Sequence, residues 1–357
     1  MKGRSEIILY AAAFVAGDLA AGLYAALCHG AGPGPVQAVI TIILAMLTPL
    51  AAATAARRRS LTAAAAAFLM LGIVNATIGR YPAPEGPLSR HSATIKENIS
   101  NELDDIAGGG SEGAILSAIA IGDKSRIDRA LKADFKQSGA MHLIALSGLH
   151  IGVIYFFLTL TLAIIGNSRP ARLVRKLLIL ALLWGYAIIS GRSNSILRAV
   201  IMITVYETGE LLDSRRDLLR ALAISAFITT LANPDAPFQI GFQLSYGAMA
   251  GICLIYPRLK QLLECRSAIL ERIWNVTALS LSCQAATAPL VLLYFGTFPR
   301  YFMITNFVAI PLTSAAIYLT PLALITKNLP VAGDFLGSAL HGTLAMLRTV
   351  IGIIAGL

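Results

Sequence analysis

The chain has 357 residues, of which 56% are hydrophobic and 13% charged, and its net charge is +10. A soluble domain carries about 25% charged residues, so this composition excludes an ordinary soluble globule. The apolar residues come in continuous runs rather than alternating ones, which excludes a transmembrane β-barrel and predicts an all-α polytopic membrane protein.

Lys2 and Arg4 precede an apolar run from Ile7 to about Leu27. That run is about 20 residues long, enough to cross a bilayer. The stretch "AALC" at 25–28 approaches a lipoprotein cleavage site, but Leu27 is too large for it. The reading is therefore an uncleaved first helix. Spans are predicted at 7–28, 36–56 and 61–79, giving an N-terminal transmembrane segment over 1–80.

A polar stretch follows. Residues 81–113 are Pro- and Gly-rich, from "YPAPEGPLS" to "AGGGSEG", and read as an extracytoplasmic linker with one short helix at most. Residues 114–140 read as one amphipathic surface helix, with Ile127, Leu131 and Phe135 at four-residue spacing and charges on the other faces.

From 141 the apolar pattern resumes, with spans at 141–165, 173–190, 194–212, 218–232, 239–256, 274–295, 302–325 and 333–356. The total is about eleven, at roughly 20 residues per crossing. The short ones, 173–190 and 218–232, read as tilted, partial or re-entrant. A second amphipathic surface helix is expected over 258–273. Arg57, Arg58 and Arg59, Arg169 to Lys176, and Arg215 with Arg216 then fall on the side of the N-terminus. The positive-inside rule makes that side cytoplasmic and puts the C-terminus outside.

Charged or polar residues inside spans cost about 2.5–3.5 kcal/mol each at mid-membrane, so each needs a reason. Asp18, His142, His150, Arg198, Glu207, Glu210, Gln243, Gln284, His341 and Arg348 are such residues. Arg198 and Arg348 lie near span ends and could act as snorkelling anchors. The most concentrated group is "HLIALSGLHIG" at 142–152. If it is helical, Ser147 and His150 stand about 60° apart around the axis. Alternatively Ser147–Gly148 marks a helix break that lines a cavity. Interhelical hydrogen bonding is the plainer role. A Ser147–His150 hydrolase is a poor fit, because Ala145 stands where rhomboid-like proteases carry the Gly of Gly-x-Ser-Gly. The four cysteines and five histidines form no metal-ligand spacing, and there is no phosphate-binding Gly-x-x-x-x-Gly-Lys loop. No enzyme motif, metal or cofactor is expected.

Three segments together resemble the ComEC-type competence proteins. They are "IGDKSRIDRALKADFKQSGAMHLIALSGLHIG" (121–152), "SNSILRAVIM" (193–202) and "NPDAPFQIGFQLSYGAMAGI" (233–252). The resemblance implies a competence channel core over 141–357, in the bacterial inner membrane, that passes single-stranded DNA to the cytoplasm during natural transformation. It carries onto His142, Ser147, Gly148 and His150, onto Arg198 and Ala199, and onto Asn233, Pro234, Gly241, Phe242, Gln243, Leu244 and Ser245. Arg192, at the outer mouth beside Arg198, adds a second cation for phosphates. Lys124, Arg126, Arg129, Lys132 and Lys136 form a DNA-attracting surface, and Phe242 and Tyr246 are candidates for base stacking.

Residues 81–113 are too few for the oligonucleotide-binding barrel of longer members, and the metal motif of their nuclease domain is absent from this sequence. The expected partners are therefore a cytoplasmic DNA motor or strand-binding protein, an extracytoplasmic DNA receptor and a separate nuclease, with a homo-oligomer left open. A solute or lipid transporter on the same scaffold is the alternative function.

Overall fold

The computed structural model describes residues 2–27, 69, 71–72, 87–191, 193–211, 217–263, 267–296 and 301–357. Among these the ordered elements are all helical. In chain order they begin with α1 (Lys2–Leu27), α2 (Pro87–Ala107), α3 (Gly110–Ile121), α4 (Arg129–Gln137) and α5 (Gly148–Thr161), which a 3₁₀ turn extends to Ile165. Then come α6 (Arg169–Ile189), α7 (Asn194–Leu211), α8 (Leu218–Ala232) and α9 (Ile240–Leu254). The last are the short α10 (Tyr256–Lys260), α11 (Ala268–Phe295), α12 (Phe302–Thr326) and α13 (Pro330–Ala355). Four described segments are long and apolar enough to cross a membrane: Gly148–Ile165, Ala268–Phe295, Phe302–Thr326 and Pro330–Ala355. The spans expected at 36–56 and 61–79 lie largely outside the described residues.

The chain divides into two compact units, 1–84 with 201–255, and 85–200 with 256–357. In the first, α1 packs on α8, with the rings of Phe14 and Phe227 edge to face at 4.6 Å. The backbone near Leu69 crosses α1 so closely that a Cβ on Gly17 would fall 2.0 Å from the Leu69 carbonyl oxygen. Glycine is what permits this approach.

In the second unit α12 and α13 form a helical hairpin. Ala309, Ala316 and Ala323 recur every seventh residue on α12, and Leu340, Leu344, Leu347 and Ile351 are buried on α13. Small residues on one helix and large ones on the other let the pair close without voids. Leu103, Ile115, Leu116, Ile119, Phe135, Leu143 and Ile144 complete this core.

Three expectations are corrected here. Residues 87–107, expected within the 81–113 linker, form a 21-residue helix. Its Ile99, Leu103, Ile106 and Ala107 face the core at helical spacing, a period that the polar composition hides. Residues 114–140 are not one surface helix. The apolar α3 is buried on nearly every side and ends at Gly122, whose φ is +70°, and α4 starts afresh behind Asp128. The Asp128 carboxylate accepts the Leu131 N–H at 2.7 Å, an N-cap. Only α4 keeps the expected face, with Leu131 and Phe135 buried and Ile127 packed against the core. Residues 258–273 are also not one helix, because α10 ends at Lys260 and α11 starts at Ala268.

Candidate functional site

The question posed by 142–152 is settled in favour of a break. α5 begins at Gly148, and residues 139–147 form turns rather than helix. Ser147 is the N-cap residue, with extended backbone at φ −124° and ψ 165°. Its backbone N–H donates to His150 Nδ1 at 3.3 Å, and its Oγ lies 2.8 Å from the same nitrogen. This is a capping box with histidine in the place usually held by Glu or Gln. A backbone N–H can only donate, so Nδ1 accepts and the ring proton sits on Nε2. His150 is fully buried.

His142 does not share that helix. It is exposed, and its Nδ1 lies 3.1 Å from the Gly139 carbonyl oxygen. A carbonyl can only accept, so Nδ1 carries the proton there.

The first two signature segments meet. A Cβ on Gly148 would lie 3.7 Å from the Ala199 Cβ, so the start of α5 packs on α7. The neighbouring Arg198 is only 4% exposed and is therefore held inside the protein rather than snorkelling from a surface. Arg192 lies outside the described residues.

The third segment belongs to the other unit. Asn233 ends α8, and its side-chain oxygen accepts the Asp235 N–H at 3.1 Å, which turns the chain at Pro234. Gln243 Nε2 donates to the Pro237 carbonyl at 2.9 Å and fastens α9 to that turn. The Tyr246 hydroxyl lies 3.2 Å from both Ser225 and Thr229, which joins α9 to α8. The Phe242 ring is buried and lies 4.2 Å from the Tyr246 ring, so its stacking is internal to the unit. Gly241 is exposed at the start of α9, and Ser245 is half-buried.

The expected DNA-attracting residues separate. Arg126 is 2.9 Å from Asp104 and also donates to Asn101, both on α2. Arg129, Lys132 and Lys136 are exposed and share one face of α4, and Lys124 is exposed in the loop before it. Asp123, beside Lys124, was expected only as one of the charges on the other faces of the surface helix. Its Oδ2 accepts Ser100 Oγ at 2.9 Å and its Oδ1 the Ser125 N–H at 3.0 Å. Partial burial raises its carboxyl, but the bonds from Ser125 and Ser100 and the charge of Lys96 outweigh this and hold it below the usual value.

Two of the polar residues expected inside spans find partners in the segment expected to be loop. Arg348 Nε is 3.1 Å from the buried Glu112 carboxylate, and His341 Nδ1 is 2.7 Å from the Ala107 carbonyl oxygen. Glu112 follows the glycine run in the first turn of α3. An acid opening an otherwise apolar helix was the available signal for this pair.

Residues 119–357 match the model of a family described as Competence protein. Among relatives, ComE operon protein 3 of Bacillus subtilis (strain 168) is 28% identical over 197 residues, covering 55% of this chain and 24% of that protein. Competence protein ComA of Neisseria gonorrhoeae is 30% identical over 241 residues, covering 64% of this chain and 32% of that protein. Recombination protein 2 of Haemophilus influenzae is 24% identical over 209 residues, covering 56% and 26%. The matched part is thus a quarter to a third of each of these relatives. No solved structure matches.

Proposed function

We propose, for a chain that belongs to the Competence protein family, that it forms the membrane channel through which single-stranded DNA passes into the cytoplasm during natural transformation. The observation that carries this reading is the family match over residues 119–357. It takes in the start of α5 with Ser147 and His150, and α7 with Arg198. A strand carries one phosphate per nucleotide, so its path must offer cations and hydrated polar groups instead of bare hydrocarbon.

In this reading His142, Ser147, Gly148 and His150 line or gate the path. Arg198 and Arg192 attract phosphates, and the exposed face of α4 gathers DNA before passage. The full set of about eleven crossings, the N-in and C-out orientation and the bacterial inner-membrane location belong to the same proposal. So do a cytoplasmic motor or strand-binding protein, an outer DNA receptor and a separate nuclease. The protein itself acts as a conduit and not as an enzyme.

The test gives labelled duplex DNA to cells lacking the gene. The expected result is DNA held outside the cytoplasmic membrane, with passage restored by the wild-type gene. Normal passage without the gene overturns the reading in favour of a solute or lipid transporter.

A further inference from the structure

The Gly122–Asp123 pair of the first signature segment has no part in the channel reading, yet the structure builds much around it. Gly122, at φ +70°, ends α3 in a left-handed conformation that side chains disfavour. The carbonyls there are satisfied from three sides. Gly122 N–H returns to the Ala118 oxygen and Asp123 N–H to the Ser117 oxygen, both at 3.1 Å. The Tyr186 hydroxyl of α6 donates to the Ala120 oxygen at 2.6 Å, and Lys96 Nζ of α2 to the Gly122 oxygen at 3.2 Å. Asp123 then ties the loop back to Ser100 of α2. A helix end so fully bonded is stiff, because each bond removes a freedom the loop would otherwise have.

Leu146 rests on this end. A Cβ added to Gly122 would fall 2.3 Å from Leu146 Cδ1 and 2.7 Å from its Cγ. Leu146 is only 8% exposed, and it immediately precedes Ser147, the N-cap of α5. Leu146 thus lies against the bare surface of Gly122, one residue before the N-cap of α5.

We propose that Gly122 and Asp123 are positioning residues: they form a rigid seat for Leu146 that sets the placement of Ser147 and His150. The seat rests on the channel reading only in the use made of those two side chains.

The test needs no DNA. The four native cysteines are replaced by alanine, and Ala145→Cys, half-buried in the turn, supplies one thiol. Its rate of reaction with a membrane-impermeant maleimide is measured in native membranes. Gly122→Ala is expected to change the rate severalfold. Adding Leu146→Ala, which removes the clash, is expected to return it most of the way. Leu143→Ala, an equal truncation in the same turn, is expected to leave it changed. Should Gly122→Ala fail to accumulate, Lys96→Met removes one bond to the seat without backbone strain, and a smaller shift in the same assay is expected. An unchanged rate in the variant that accumulates overturns the proposal, as does equal rescue by Leu143→Ala. DNA uptake is measured in parallel. A changed rate with normal uptake supports the seat and counts against the channel reading alone.

Discussion

The Ala199 Cβ lies 3.7 Å from where a Cβ on Gly148 would stand, so two residues about fifty positions apart, one in each of two signature segments, touch at the start of α5. That distance is ordinary van der Waals contact, and Gly148 has no positive φ. Gly148→Ala is therefore expected to be tolerated, within about 1 kcal/mol of wild type, because alanine also favours the helix. Gly148→Leu must push α7 away and is expected to lower both stability and DNA uptake. Thermal unfolding in detergent with parallel uptake assays reads both. Loss of stability in the alanine variant as large as in the leucine variant would contradict the packing described.

Ser147 caps α5, and that role is separable from any chemistry. Ser147→Ala is expected to cost about 1 kcal/mol of stability, and Ser147→Asp, a strong cap, to restore most of it. The Oγ-to-Nδ1 distance of 2.8 Å is also one that a nucleophile and base would share. Capping accounts for it without hydrolysis, so a serine-directed fluorophosphonate is expected to leave Ser147 unlabelled. Labelling that vanishes in Ser147→Ala would establish the hydrolase reading instead.

How much of this was legible in the sequence depended on what each segment packs against. Continuous apolar runs declare long apolar helices, and four of the described segments are long and apolar enough to cross a membrane. The 87–107 helix was hidden because its exposed faces are densely polar and only one narrow stripe is apolar. The break at Gly122 was hidden because the four-residue spacing of Ile127, Leu131 and Phe135 invites extension backwards, across a glycine whose left-handed conformation sequence does not display. The pairing of Arg126 with Asp104 followed from the same miss, since its partner lies on the helix expected to be loop. The break at Ser147 was open from the sequence because a Ser-Gly pair suits both a cap and a close helix crossing.

Asp123 predicts a pH dependence. Its carboxyl is held below the ordinary value of 3.8, so the folded state favours the ionised form. The stability it contributes is fully present above that ordinary value and is lost as pH falls through the lower, folded-state value. Wild type is therefore expected to keep its stability advantage over Asp123→Asn down to about pH 4 and to lose it as pH falls further. An advantage that grows on acidification would reverse the sign and contradict the hydrogen bonding described.

The exposed cations of α4 are predicted to act together and Arg126 apart from them. Replacing Arg129, Lys132 and Lys136 by glutamine is expected to weaken binding of single-stranded DNA and to flatten its salt dependence. With about 0.7 per phosphate contact on a single strand, the log–log slope should fall by about 2. Arg126→Gln is expected to leave that slope nearly unchanged and to lower thermal stability modestly, because its guanidinium serves Asp104 and Asn101. A salt slope unaffected by the triple substitution would remove α4 from the DNA-gathering surface.

Transport is read by the rate at which labelled DNA passes into cells whose own gene is deleted, complemented with wild type or with Arg198→Ala at matched membrane levels. If the protein is the channel, passage is expected with wild type and arrest outside with Arg198→Ala, since a buried cation is then missing from the proposed phosphate path. Passage at the wild-type rate with Arg198→Ala would contradict it and leave Arg198 a structural residue of α7.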